Sequence, residues 1–187
     1  MTPQLQTRWW TKPELPTFLA LDFETADHGA DSACAIGLVR VEKGQVAQQV
    51  TRLIRPPRRR MVFTYIHGIT WEMVAQEPCF AEVWPDLEPL FAGVDFLAAH
   101  NAPFDRRVLE ACCMAAGIGG PATKFVCTVQ LARFMWDIRP TNLPNVCRKL
   151  RIPLNHHEAG SDAAACAQIV LRSLPTPPVP TLWPLEQ

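Results

Sequence analysis

The chain has 187 residues, enough for one well-filled domain of ordinary size without a second core. Its hydrophobic fraction of 48% and charged fraction of 19% exclude a disordered or fibrous chain. Lys+Arg and Asp+Glu are both 18, so net charge names no partner, although a neutral total can hide local asymmetry.

In chain order, residues 17–24 (TFLALDFE) read as a strand, Cys34 to Val41 as a second and Val46 to Ile54 as a third, joined by short turns, which makes an antiparallel meander. The stretch Arg55 to Arg60 (RPPRRR) must be a loop, because Pro56 and Pro57 have no N–H to donate to a ladder. Helical patterns follow: WEMVAQ with Thr70 as its cap, then Phe80 to Gly93, which Pro85 and Pro89 should shorten or break. Val94 to Asn101 is a fourth strand, and Pro103 to Gly117 is a helix with Pro at its start and Gly at its end. FVCT gives a short fifth strand running into the helix VQLARFMW, and Asn142 to Leu150 and Ser161 to Leu174 are two more helices. The order implies an α/β fold with a mixed five-stranded sheet flanked by helices. Residues 1–16 are expected as a flank in which Trp9 and Trp10 pack, 17–174 as the domain, and 175–187 as an extended Pro-rich tail.

No apolar run is long enough to cross a bilayer, and the first residues lack the apolar stretch of a secretion signal, so no membrane association is expected. The 7 cysteines, odd in number and without a CxxC pair, are expected as reduced core thiols of a cytoplasmic protein.

Three stretches carry chemistry. In LALDFETAD, Asp22 and Glu24 end a strand on one face while Phe23 points to the other. Two adjacent carboxylates repel each other and resist desolvation, so they call for a cation, and hard oxygen ligands suit Mg²⁺ or Mn²⁺. In HNAPFD, Asp105 falls in the first turn of a helix, where the dipole favours an anion whether or not the acid is functional. In NHHEAGSDAAA, His157 precedes Asp162 by five residues across a Gly-containing stretch, and a histidine beside acids can accept a proton from water near neutral pH. Asp27 and His156 are expected as solvated neighbours, and the Arg55–Arg60 cluster as either a solvated loop or a surface that steers phosphates.

In this order the three stretches resemble the DEDDh subgroup of 3′-to-5′ exonucleases, with Asp22 and Glu24 meeting the DxE motif, Asp105 the HNAxFD motif, and His157 with Asp162 the H-x4-D motif. IHGIT, TVQLAR and NLPNVCRKLRI are similar to connecting segments of these enzymes, and Cys127 departs from an acid common at that position. The resemblance covers about Phe18 to Leu171 and implies a ribonuclease H-like fold. It further implies two Mg²⁺ or Mn²⁺ ions held by Asp22, Glu24, Asp105 and Asp162, with His157 deprotonating the attacking water. Thr25, Ala26, Ile66, His67, Asn101 and Phe104 would then surround the terminal nucleotide, although core packing explains Phe104 equally well. The implied partner is a single-stranded DNA or RNA 3′ end, with DNA favoured and nucleoside 5′-monophosphate as product. A polymerase-associated proofreading or accessory module that binds a polymerase or clamp is the alternative, and a homodimer is compatible with either.

Overall fold

The computed structural model describes residues 10, 12 and 14–175, so Trp9 and the tail from residue 176 lie outside the described residues. The meander forms as expected: β1 (Phe18–Thr25), β2 (Ala33–Glu42) and β3 (Gln45–Leu53) pair antiparallel. Two further strands, β4 (Phe96–Ala99) and β5 (Phe125–Cys127), add in parallel on the other side of β1, giving a mixed five-stranded sheet in the order β3-β2-β1-β4-β5.

The period of two sorts each strand between two cores. Phe18 and Ala20 of β1, Val39 and Val41 of β2, and Phe96 and Ala98 of β4 pack on α5 (Thr128–Trp136), α6 (Leu143–Leu150) and α7 (Ala159–Ser173). Leu19, Leu21 and Phe23, with Ile36, Leu38 and Leu97, face α3 (Phe80–Leu87) and α4 (Ala102–Ala115). Asp22 and Glu24 continue the row of Phe18 and Ala20, so they face the helix layer that ends in α7. Trp10 is buried on the same side, edge-on to Phe96 with ring centroids 5.9 Å apart, as packing of the flank requires.

Local differences from the sequence reading have local causes. The helix α3 continues through Pro85, then tightens into a 3-10 turn at Glu88–Phe91, where Pro89 removes another donor. Residues 64–67 form a one-turn helix, α1 (Thr64–His67), closed by Gly68 at φ 74°, and α2 (Trp71–Val74) follows. β4 is shorter than its apolar run because Asn101 turns the chain at φ 73° into α4.

Parallel pairing of β1 with β4 brings the carboxyl ends of both strands to one edge of the sheet, where α4 starts and where α7 crosses β1 and β2. Gly37 makes that crossing possible. It lies opposite Asp22 in the ladder, and a Cβ there would sit 2.0 Å from the carbonyl oxygen of Ala159. Gly160 approaches β3 in the same way, with a Cβ position 2.2 Å from Thr51 Oγ1. The first turn of α7 therefore rests directly on the sheet.

Candidate active site

The end of β1, the start of α4 and the start of α7 enclose a cleft of about 420 Å³. Asp22 and Glu24 enter it from the strand, and Asp162 from the first turn of α7. One oxygen from each of the three lies within 4.8 Å of the others. Glu158 sets the start of α7, its carboxylate accepting from the amides of Gly160 at 3.0 Å and Ser161 at 2.8 Å. Asp105 sits beneath the three acids, fully buried, with Oδ1 accepting from the Phe23 amide at 3.1 Å. The helix-start acid is thus tied to the strand that carries the first pair.

These acids share a low-dielectric corner with too few donors. Burial, then the charges of Asp105, Asp162 and Glu24, hold the Asp22 carboxyl well above the usual range. Burial and the charges of Asp162 and Asp105 push Glu24 up to about 8. Asp105 also rises to about 8, because its burial outweighs the Phe23 hydrogen bond, and burial raises Asp162 as well. Asp105 Oδ2 and Asp162 Oδ1 are buried without any hydrogen-bond partner. Orphaned carboxylate oxygens beside other carboxylates are costly unless cations satisfy them, and an all-oxygen donor set fits Mg²⁺ or Mn²⁺. The residues present therefore fit the ions that the sequence motifs imply.

His157 lines the cleft in a left-handed conformation, φ 68°, which a non-glycine residue adopts only when its surroundings hold it there. Its amide donates to Asp162 Oδ2 at 3.2 Å, while its ring stacks on His156 with centroids 3.7 Å apart. Burial and the neighbouring His156 lower its pKa, which favours the neutral imidazole. His156 is exposed, as spacing suggested, and it is also tied to the acid, its Nδ1 bonding Asp162 Oδ2 at 2.9 Å. Spacing from a motif cannot show which of two adjacent rings turns toward an acid.

Of the residues expected around the substrate, Thr25, Ile66, His67 and Phe104 line the cleft. The Ile69 amide donates to His67 Nδ1 at 3.0 Å, so Nε2 carries the hydrogen and donates to the Thr25 carbonyl at 3.2 Å. Phe104 does both things its type allows, packing partly into the α3–α4 core and facing the cleft. Ala26 and Asn101 are not among the lining residues. Ala26 is fully buried and its carbonyl accepts from the Val62 amide at 2.6 Å, while Asn101 supplies the turn into α4.

Phe63, His100, Asn142 and Leu143 also line the cleft, and the sequence reading missed them as site residues. His100 lay in the quoted HNAPFD stretch, and Asn142 in the expected helix start, so both had a signal. His100 bridges two elements, with Nδ1 2.8 Å from Thr128 Oγ1 and Nε2 2.8 Å from the Thr141 carbonyl, which fixes the loop that presents Asn142. Asn142 itself caps α6, its Oδ1 accepting from the Asn145 amide at 3.0 Å. The 7 cysteines are free; five are core thiols and Cys79 and Cys127 are half-buried, and burial pushes Cys34 up to about 12 and Cys112, Cys113 and Cys147 to about 11. No helix among the described residues is long and apolar enough to cross a membrane.

Comparison with known proteins follows the same outline. The chain is 34% identical over 165 residues to the DNA polymerase III PolC-type of Thermotoga petrophila, a match that takes 85% of this chain but 12% of that protein. It is 32% identical over 162 residues to exodeoxyribonuclease 10 of Escherichia coli K12, covering 81% of this chain and 64% of the relative. Among solved structures, exonuclease X in complex with 5′ overhanging duplex DNA superposes with a TM-score of 0.67 at 26% identity, covering 83% of this chain and 90% of that one. The nuclease domain of 3′hExo, a DEDDh family member bound to rAMP, gives a TM-score of 0.71 at 16% identity and supports the ribonuclease H-like fold. A family model described as Exonuclease matches residues 19–170, and with these relatives it shows that the chain belongs to the exonuclease family.

Proposed function

We propose that the chain hydrolyses phosphodiester bonds from the 3′ end of single-stranded nucleic acid, DNA in preference to RNA, and releases nucleoside 5′-monophosphates. The observation that carries this reading is the cluster of Asp22, Glu24 and Asp162 lining one cleft with Asp105 buried beneath them, four acids with raised pKa values and two orphaned oxygens. Asp22, Glu24 and Asp162 would hold Mg²⁺ or Mn²⁺ directly, and Asp105, set deeper, would complete the charge around a second ion. Bound there, the ions would offset the acid charges and stabilise the attacking and leaving oxygens of the phosphate.

The chain's own groups divide the remaining work. His157, neutral and facing the cleft, takes the proton of the attacking water at its imidazole nitrogen. Asp162 holds the His157 backbone, and His156 holds Asp162. Phe104 and Ile66 offer apolar surface to a terminal base, a contact that requires no particular sequence and so suits an enzyme that removes nucleotides one after another. His67, fixed on the Thr25 carbonyl, closes that side. Preference for DNA is supported by exodeoxyribonuclease 10 and by exonuclease X with duplex DNA, both similar to this chain.

A proofreading role within a polymerase assembly is supported by similarity to PolC-type polymerases. The test is degradation of a 5′-labelled strand with Mg²⁺ or Mn²⁺, run in parallel on matched DNA, RNA and mismatched-end duplexes. A ladder shortening from the 3′ end with mononucleotide products is expected. The absence of any shortening under either metal would overturn the assignment, and faster removal of mismatched ends would favour proofreading.

A further inference from the structure

The acid that follows the DxE motif, Asp27, is not solvated. It is buried, and Arg58 reaches across from the loop after β3 to grip it. The fork is double: Arg58 Nε donates to Asp27 Oδ2 at 2.8 Å and Nη2 to Asp27 Oδ1 at 3.1 Å, while Nη1 and Nη2 donate to the two oxygens of Asp31 at 2.8 and 2.6 Å. One guanidinium thus engages two carboxylates bidentately, which only the planar fork of Arg allows. The hydrogen bonds from Arg58 hold Asp27 down to about 2, so the grip persists throughout the neutral range. The loop is closed tightly around it: a Cβ at Gly29 would lie 2.2 Å from Arg58 Nη2 and 2.6 Å from Asp31 Oδ1.

Residues 58–67 form one wall of the cleft, supplying Phe63, Ile66 and His67. This wall has little regular structure to hold it. Its one helix, α1, is a single turn, far below the length at which a helix is stable by itself. What fixes it is attachment to the continuation of β1: the Val62 amide donates to the Ala26 carbonyl at 2.6 Å, His67 to the Thr25 carbonyl at 3.2 Å, and Phe63 meets His28 edge-on at 4.9 Å. The Arg58 fork is the ionic member of this set and the one that enters first along the chain.

We propose that Arg58 is a positioning residue, which by clamping Asp27 and Asp31 docks the 58–67 wall against the strand that carries Asp22 and Glu24 and so sets affinity for the terminal nucleotide. The inference rests on the exonuclease reading for the identity of the ligand, but not for the clamp itself. The carboxylate cluster lies outside the wall, so the clamp governs substrate binding rather than the chemical step.

The test compares the full chain with Arg58→Ala, Arg58→Lys and Gly29→Val, with Arg172→Ala on the far end of α7 as a charge control. Two readouts are needed: hydrogen exchange of residues 58–67 by mass spectrometry, and KM and kcat on a single-stranded DNA oligonucleotide with Mg²⁺. Arg58→Ala should speed exchange in the wall while α7 stays protected, and raise KM on the order of tenfold with kcat within about twofold. Arg58→Lys should fall between, since it keeps the charge but loses the fork. Gly29→Val should reproduce Arg58→Ala by wedging the clamp open. Unchanged exchange overturns the clamp. Faster exchange with unchanged KM, or a fall in kcat alone, overturns its role in binding. If the wild-type chain binds the oligonucleotide without shortening it, the exonuclease reading fails, and the clamp is decided by exchange together with the Kd for the same oligonucleotide.

Discussion

At Asp162 two neighbouring histidines compete for one oxygen. The His156 ring and the His157 amide both reach Oδ2, at 2.9 and 3.2 Å, and leave Oδ1 without a partner. His156 is therefore committed to orienting the carboxylate, while the His157 ring has no hydrogen bond to that acid and remains available to water. His157→Ala should lower kcat by on the order of 10²–10⁴, the span for loss of a general base. His156→Ala should lower it by about tenfold or less, since it removes one hydrogen bond of roughly 1 kcal/mol from an acid that stays in place. Single-turnover rates with saturating Mg²⁺ would decide, and the reverse order would make His156 the base. What spacing made legible here was the pairing of a histidine with Asp162. The spacing singled out His157 but not the contact of the His156 ring with Asp162, which depends on how the backbone turns at His157, φ 68°, and not on residue type.

At the scale of elements, the site depends on how closely α7 approaches the sheet. Asp162 stands in the first turn of α7, and Gly37 lets that turn touch β2 at the ladder position opposite Asp22. An alanine at Gly37 would place its Cβ 2.0 Å from the Ala159 carbonyl, a backbone atom that cannot rotate away. Gly37→Ala should thus lift the start of α7, cost about 1–3 kcal/mol of stability as overpacking does, and weaken Mn²⁺ binding measured by calorimetry at least tenfold. Stability lost with unchanged Mn²⁺ affinity would show that Asp162 tolerates the shift. An isolated Gly within a strand pattern is a recognised sign of close backbone approach, so this contact had a sequence signal. The strands and helices themselves were legible because the apolar run of β1, from Phe18 to Phe23, and the helix-start signals at Pro103 and Asn142 are local. The burial of Asp27 by Arg58 was not, since the partners lie 31 positions apart and only the folded loops bring them together. Ala26 and Asn101 carried a motif-based expectation of substrate contact; neither lines the cleft, Ala26 being buried beside it and Asn101 exposed at the turn into α4.

The whole molecule carries the acid cluster as a linked cost, and the link has a definite sign. Burial and neighbouring charge push Glu24 and Asp105 up to about 8 in the folded chain, against ordinary carboxyl values of 4.5 and 3.8. Between those values and about 8 the metal-free folded state holds protons that the unfolded chain has released. Stability from these groups is therefore full at acid pH and lost as pH rises through about 8. Divalent ions need the same carboxylates deprotonated, so their stabilisation grows over the range in which the proton's fades. The melting midpoint in EDTA should fall between about pH 5.5 and about pH 8.5, and Mg²⁺ or Mn²⁺ should recover most of the loss at the upper pH while adding little at the lower. Asp105→Asn separates this linkage from general pH effects. It keeps an oxygen for the Phe23 amide but removes the charge, so it should raise the EDTA midpoint at about pH 8.5 by roughly 2–8 °C. That range takes about 1–2 kcal/mol for one buried charge and about 2–4 °C per kcal/mol at this chain length. The same variant should flatten the pH slope and lose turnover. A metal-free midpoint that does not change with pH, or an Asp105→Asn midpoint below that of the wild type in EDTA, would mean that the four acids are already neutralised within the fold, and the physical argument for bound ions would fall with it.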